Sequence, residues 1–226
     1  MDKRMINLSL DMTYGASRRR VFGRVAGAAA LGLLGLLPAP SGARVVAPAP
    51  DDPLWPGKLR GRHRQVVDAY EVNDGHPPAF AFTFLAPNAS PGAATAVIVL
   101  RHGALPLALN NAMWAKYKVG ESLKIIDPET KASAVKNPYL RPKVGVLPLD
   151  EMAIDRLLEK GTIFGACNVA LWALSKKLAG NASVSADDAA EEWAVNLVPG
   201  ITLVSSGTWG VNRAQEACCT YCTGGG

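Results

Sequence analysis

The stretch GTIFGACNVALW, Gly161 to Trp172, decides the fold. Thr162, Ile163 and Phe164 form a short apolar run that reaches a small-residue corner at Gly165-Ala166. Cys167 and Asn168 follow, and then a helix-like run, VALWALSKKLAG, that ends at Gly180. The pattern is that of a buried parallel strand ending in a turn, with its helix beginning at or next to Cys167. Ligands of open α/β sheets collect at the carboxyl ends of strands. A helix N-terminus presents free N–H groups and a partial positive charge, and both favour a thiolate over a thiol. Cys167 is therefore a candidate reactive thiol. The competing reading is a small hydrophobe filling a tight corner, since free cysteine is among the most buried residue types.

Working outward, the same alternation repeats. Arg64 to Tyr70 reads as a first strand or its approach, and Asn73-Asp74-Gly75 as a turn. PPAFAFTFLAPN alternates Phe80, Phe82 and Phe84 like a strand, yet the Pro pair after Asp74 opens a helix, and a parallel crossover needs one. A short helix is the preferred reading. Thr95 to Leu100, TAVIVL, is a continuous β-branched run of the kind buried on both faces of a parallel sheet. It ends at Arg101-His102-Gly103. ALPLALNNAMWAKY predicts a helix despite Pro106, and Lys118 to Pro142 a long polar excursion of the type that is often functional. Val144 to Leu147 is a short strand candidate, and Asp150 the cap of a helix from Glu151 to Lys160. Beyond Gly180, a helix over Ala186 to Asn196, a strand in ITLVSSG and a helix in TWGVNRAQEA complete the series, and CCTYCTGGG is a tail. Strands alternating with helices predict an α/β fold, a three-layer sandwich around a mostly parallel sheet.

The N-terminal part has a different character. Arg18-Arg19-Arg20-Val21-Phe22 is a twin-arginine pattern, and Val25 to Leu37 an apolar run of 13 residues. That run is shorter than the roughly 20 residues a membrane span needs. Ser41-Gly42-Ala43 supplies the small residues of a cleavage site. Residues 1–43 read as a twin-arginine export signal cleaved after Ala43, which predicts a periplasmic mature protein with no membrane attachment, the alternative being an uncleaved N-terminal anchor. Residues 44–62 read as an extended Pro- and Asp-rich tether, and 63–226 as one α/β domain. Removing the signal changes the charge. Of 24 basic and 19 acidic residues it holds six and two, leaving 18 against 17. Without a positive excess, nucleic-acid binding loses its support.

With the order of elements in place, the chain resembles the DsrE/DsrF/TusD-like family from about Val97 to Tyr221. The resemblance rests on the strand ending in His102-Gly103 and on the corner Ala166-Cys167-Asn168. Its third and most specific piece is Leu197-Val198-Pro199-Gly200, which leads to Ser206-Gly207 and Gln215. It implies a small three-layer fold that forms homo-oligomers. In some members a Cys at the strand-to-helix corner carries sulfur as a persulfide, and Cys167 matches that position. The chain departs from the pattern in its export signal, in the Lys118–Pro142 excursion and in its terminal Cys cluster.

The chemistry this suggests is a sulfur carrier in which the Cys167 thiolate takes a sulfane sulfur and passes it on. The donor or acceptor would be a thiol protein or a small sulfur compound. His102 would lower the thiol's pKa or shuttle a proton, or else be a hydrogen-bonded loop residue. Arg101 and Asn168 are the substrate-binding candidates, Arg101 being otherwise a solvated cation. Cys218, Cys219 and Cys222 form a second group. Cys219-Thr220-Tyr221-Cys222 is a C-x-x-C with no following His for haem and no second pair for a zinc site. In an oxidising compartment a Cys219–Cys222 disulfide is preferred, and with Cys167 a second bridge stays open. No metal and no cofactor is assigned, although a copper or zinc site using His102 stays open. Two other functions compete with sulfur transfer: a non-catalytic periplasmic binding or assembly module, and a thiol–disulfide protein run by Cys219 and Cys222.

Overall fold

Apolar and β-branched runs extend into strands, and the Pro-, Ala- and Leu-rich stretches between them wind into helices. A computed structural model describes residues 56–225. The proposed export signal and residues 44–55 lie outside the described residues. In chain order the elements are β1 (His63–Ala69), α1 (His76–Leu85), β2 (Ala94–Leu100), α2 (Asn111–Lys116), α3 (Val119–Leu123) and α4 (Ile154–Glu159). Then follow β3 (Ile163–Cys167), α5 (Asn168–Leu178), α6 (Ala186–Val195), β4 (Ile201–Val204), α7 (Gly207–Glu216) and β5 (Thr220–Thr223). Among the described residues the strands form one all-parallel sheet in the order β4-β3-β2-β1-β5.

The two-residue period of a strand divides its side chains between the faces. Val67, Ile98, Leu100, Phe164 and Ala166 enter one core, with residues of α1 to α6. Val66, Val97, Val99 and Ile163 enter a second core, under Ala214 and Trp209 of α7. The result is the expected three-layer α/β sandwich. The unequal layers follow from topology. The connections from β1 to β4 all step one way across the sheet, whereas the connection from β4 to β5 returns to the far edge. Crossovers keep one hand, so α7 must lie on the opposite face. Ile98, Leu100 and Phe164 are buried almost completely, each contributing about 1.5–3 kcal/mol of transfer free energy.

Four stretches after β2 differ from the sequence expectation. The helix expected from Ala104 onward is a 3-10 turn over His102–Ala108, and α2 starts only at Asn111. Pro106 removes a donor, Leu109 is extended, and the Asn110 side chain caps α2 by accepting from the Met113 amide at 3.2 Å. Val144 to Leu147 forms no strand; Val144 is 87% exposed and has nothing to pair with. Asp150 caps no long helix. Its carboxylate accepts from the Gly145 amide at 2.9 Å, a 3-10 turn spans Asp150–Met152, and α4 begins at Ile154. The cysteine tail is an edge strand, β5, registered on β1 with Val67 opposite Cys222.

The chain is already docked before β1. A 3-10 turn covers Pro56–Lys58, and Leu59 is buried with Val66 and Val97. The Arg60 amide donates to the Thr95 hydroxyl at 2.9 Å, and that hydroxyl donates to the Arg60 carbonyl at 2.7 Å. Residues 56–62 are therefore part of the domain rather than an extended tether. The excursion from Lys118 to Pro142 is pinned as well. Gly120 lies so close to the backbone of Ala134 that a Cβ would overlap it. The buried Asn137 amide donates to the carbonyls of Leu107 and Leu109 at 2.9 and 3.1 Å.

Candidate functional site

β3 runs through Gly165 and Ala166 to Cys167, and α5 starts at the next residue. Cys167 is the N-cap of α5. Its Sγ accepts from the Ala170 amide at 3.3 Å, occupying a donor that a serine or aspartate more often takes. The side chain is 5% exposed. Asn168 is buried in the first turn of the same helix. The thiol thus sits at the N-terminus of α5, under a nearly closed surface.

A cavity of about 550 Å³ opens at the carboxyl ends of β1 and β2. The β1–α1 connection contributes Glu71 and Asp74, and the end of β2 contributes His102. Lys124 and Tyr139 from the excursion and Ala170 and Lys177 from α5 also line it, the Tyr139 ring lying against Gly75 of the β1–α1 connection. Burial is the main reason the Tyr139 phenol is pushed up to about 12, with Asp74 and Asp127 adding to it. It remains a protonated donor at neutral pH. A Cβ on Gly103 would collide with the Glu71 carboxylate, so the glycine leaves that carboxylate its place at the cavity.

The backbone around this cavity is unusual. Asn73, Asp74, His102 and Lys124 all line it with φ of 44°, 50°, 45° and 56°. They are four of the eight non-glycine residues with left-handed φ among the described residues. Asn, Asp and His are the non-glycine types enriched in that region and Lys is not, and left-handed non-glycine residues concentrate at functional sites.

His102 and Cys167 are not brought together at this cavity. His102 lines it, stacked on the Tyr70 ring at 4.2 Å between centroids. Cys167 does not line it, and approaches it only through its hydrogen-bond partner Ala170. Arg101 leaves the cavity altogether. Its Nε and Nη2 donate to the two oxygens of buried Asp68 at 2.5 and 2.8 Å, and its guanidinium lies 4.8 Å from the Tyr70 ring centroid. The Tyr221 hydroxyl of β5 donates to the same carboxylate at 3.1 Å. Arg101 is thus a partly exposed counter-ion to Asp68, and the Asp68 bond raises its pKa above an already high value.

The tail cysteines separate. Cys219 is buried in the core beneath α7, and Cys222 packs against the opposite core. A three-residue step along an extended chain has this effect, and it points the two thiols away from the geometry a disulfide needs. All four cysteines are free, with Cys218 exposed. Among the described residues no group of three His, Cys, Asp or Glu side chains could hold a metal ion, and no helix is long and apolar enough to cross a membrane.

Comparison of the chain with known protein families, curated proteins and solved structures finds no match in any of the three.

Glu71, Asp74, Lys124, Tyr139 and Lys177 were not singled out by sequence reasoning as site residues. For Glu71 and Asp74 a signal existed, because they follow the first strand at the end where ligands collect. Lys124 and Tyr139 lie in the long excursion, whose length alone is a functional hint. Nothing marks Lys177, a lysine among several in the last turns of a helix.

Proposed function

We propose that the protein is a small-ligand-binding α/β module, which the twin-arginine pattern at 1–43 would deliver to the periplasm. The observation that carries this reading is the cavity at the carboxyl ends of β1 and β2, where four left-handed non-glycine residues gather. Strained backbone of this kind persists where the surroundings hold it for a purpose, and this end of a parallel sheet is where ligands bind. The cavity is lined by charged groups, an imidazole and two phenols, but by no thiol, which favours binding over sulfur chemistry. The test is an NMR titration of the protein with small amines, carboxylates, amino acids and sugars. Binding at this site moves the amide signals of Ala170, Ala173 and Lys177 and leaves those of β5 in place. A collection in which no compound moves them overturns the reading.

A second reading has one observation in its favour: the Cys167 Sγ bonded to the Ala170 amide at the start of α5, with Ala170 itself on the cavity wall. In a sulfur carrier the Cys167 thiolate would attack the outer sulfur of a donor persulfide. The donor S–S bond breaks, the donor leaves as a thiolate, and Cys167 holds the persulfide with no net oxidation. Intact-mass spectrometry after incubation with polysulfide tests this. A Cys167→Ala chain that gains sulfur as readily as the parent refutes it.

A further inference from the structure

Taking the cavity as a ligand site, we infer that its ligand is a zwitterion: an α-amino acid or dipeptide with a free ammonium, a free carboxylate and an apolar side chain. The argument starts from charges that have no partner. Glu71 and Asp74 reach the cavity from the β1–α1 connection, and Lys124 and Lys177 from the end of α3 and from α5. Among the described residues, none of these four takes part in an ion pair or a side-chain hydrogen bond. The chain does pair its charges elsewhere. Arg101 holds Asp68, Lys116 holds Glu192 and Arg141 holds Asp155. In the cavity, two acids and two bases share one space, yet no acid oxygen comes within 4.0 Å of a lysine nitrogen.

That separation suits an occupant that carries both signs. A simple anion would meet Lys124 and Lys177 but also two carboxylates. A simple amine would meet the carboxylates but also two ammonium groups. A zwitterion placed between them satisfies each set with its opposite end, and its hydrogen bonds would be charge-assisted at both. The lining also holds Leu123, Ile125 and Leu174, which offer a surface for an aliphatic or aromatic side chain. A volume of about 550 Å³ falls in the range of small-molecule sites.

The experiment is isothermal titration of the full chain with the apolar L-amino acids and their homodipeptides. N-acetylated and C-amidated forms of whichever binds are titrated alongside. Each cap removes one charge, so each is expected to weaken binding by about tenfold or more. Two double variants assign the ends. Lys124→Ala/Lys177→Ala should bind the parent zwitterion and its amide equally while still rejecting the acetylated form. Glu71→Gln/Asp74→Asn should do the reverse. All four side chains are exposed, so thermal unfolding of the variants should match the parent. Capped ligands that bind as tightly as the zwitterion overturn the inference. So does an amide-signal response to anions, amines or sugars but to no amino acid or dipeptide, and in that case the cavity remains a ligand site. If no compound of any class moves the cavity amides, both the inference and the binding reading fall.

Discussion

Replacing Asn137 by Ala tests whether the long excursion is a structured wall of the cavity. Asn137 is 2% exposed, and its amide donates to the buried carbonyls of Leu107 and Leu109 at 2.9 and 3.1 Å. Its Oδ1 accepts from the Tyr139 amide at 3.3 Å, and its own backbone amide donates to Asn111 Oδ1 at 3.0 Å. Asn137→Ala keeps the backbone contact and removes the side-chain ones. A net hydrogen bond contributes about 1 kcal/mol, and stranding buried carbonyls raises the cost, so the two donations together predict a loss of about 2–3 kcal/mol. In a domain of this size each kcal/mol moves Tm by about 2–4 °C, giving an expected drop of about 5–10 °C. Circular dichroism melts with urea titrations measure both quantities. Because Tyr139 and Ile125 line the cavity, cavity ligands should also weaken. A variant that melts within about 2 °C of the parent would refute the view that Asn137 anchors the excursion.

Four further outcomes follow from the same geometry. Arg101→Met leaves the Asp68 carboxylate, 7% exposed, with only the Tyr221 hydroxyl, and should cost about 2–3 kcal/mol in urea titrations, below the full buried-pair loss because Arg101 is 20% exposed; adding Asp68→Asn should restore most of it. Gly120→Ala drives a methyl into the Ala134 backbone and should cost more than the about 1 kcal/mol a helix normally gains from that change, seen as a lower urea midpoint. Hydrogen bonds from Lys116 and then Tyr117 hold Glu192 below the usual carboxylate range, so its stabilisation is full above the unfolded value of about 4.3 and is lost as pH falls through the lower folded value; Glu192→Gln should flatten that acid limb. Burial pushes the Cys219 thiol up to about 11 against the pull of Arg64, so stability should fall as pH rises from the ordinary thiol range towards 11, and Cys218 should be alkylated in the native protein well before Cys219 or Cys167.

How much of this was legible depended on how each element is buried. TAVIVL could be read because a central strand covered on both faces needs continuous apolar side chains, and ITLV because it keeps a mostly apolar run although it lies at the sheet edge. Thr220 to Thr223 could not, because an edge strand with exposed Thr220, Tyr221 and Thr223 carries no such run. The Cys167 corner was legible because a strand-to-helix turn needs small residues, but its burial depends on how the neighbouring strands and helices close over it. The C-x-x-C spacing suggested a bridge that the strand period then divided between two faces. Arg101 looked like a ligand-binding cation because its partner Asp68 lies 33 residues away on the adjacent strand. The cavity is assembled from connections more than a hundred residues apart in the chain, from Glu71 to Lys177, so no local pattern announces it.

The pairing of β5 with β1 constrains how this protein can be made. Gln65 sits opposite Thr220, so the outer edge of the first strand waits for nearly the whole domain to be synthesised before it gains a partner. At about 5–20 residues per second, that edge stays open for roughly eight to thirty seconds behind the ribosome. During this interval Val66 has neither β5 beside it nor α7 above it, Val67 lacks β5, and the Asp68 carboxylate lacks both Arg101 and Tyr221 for part of it.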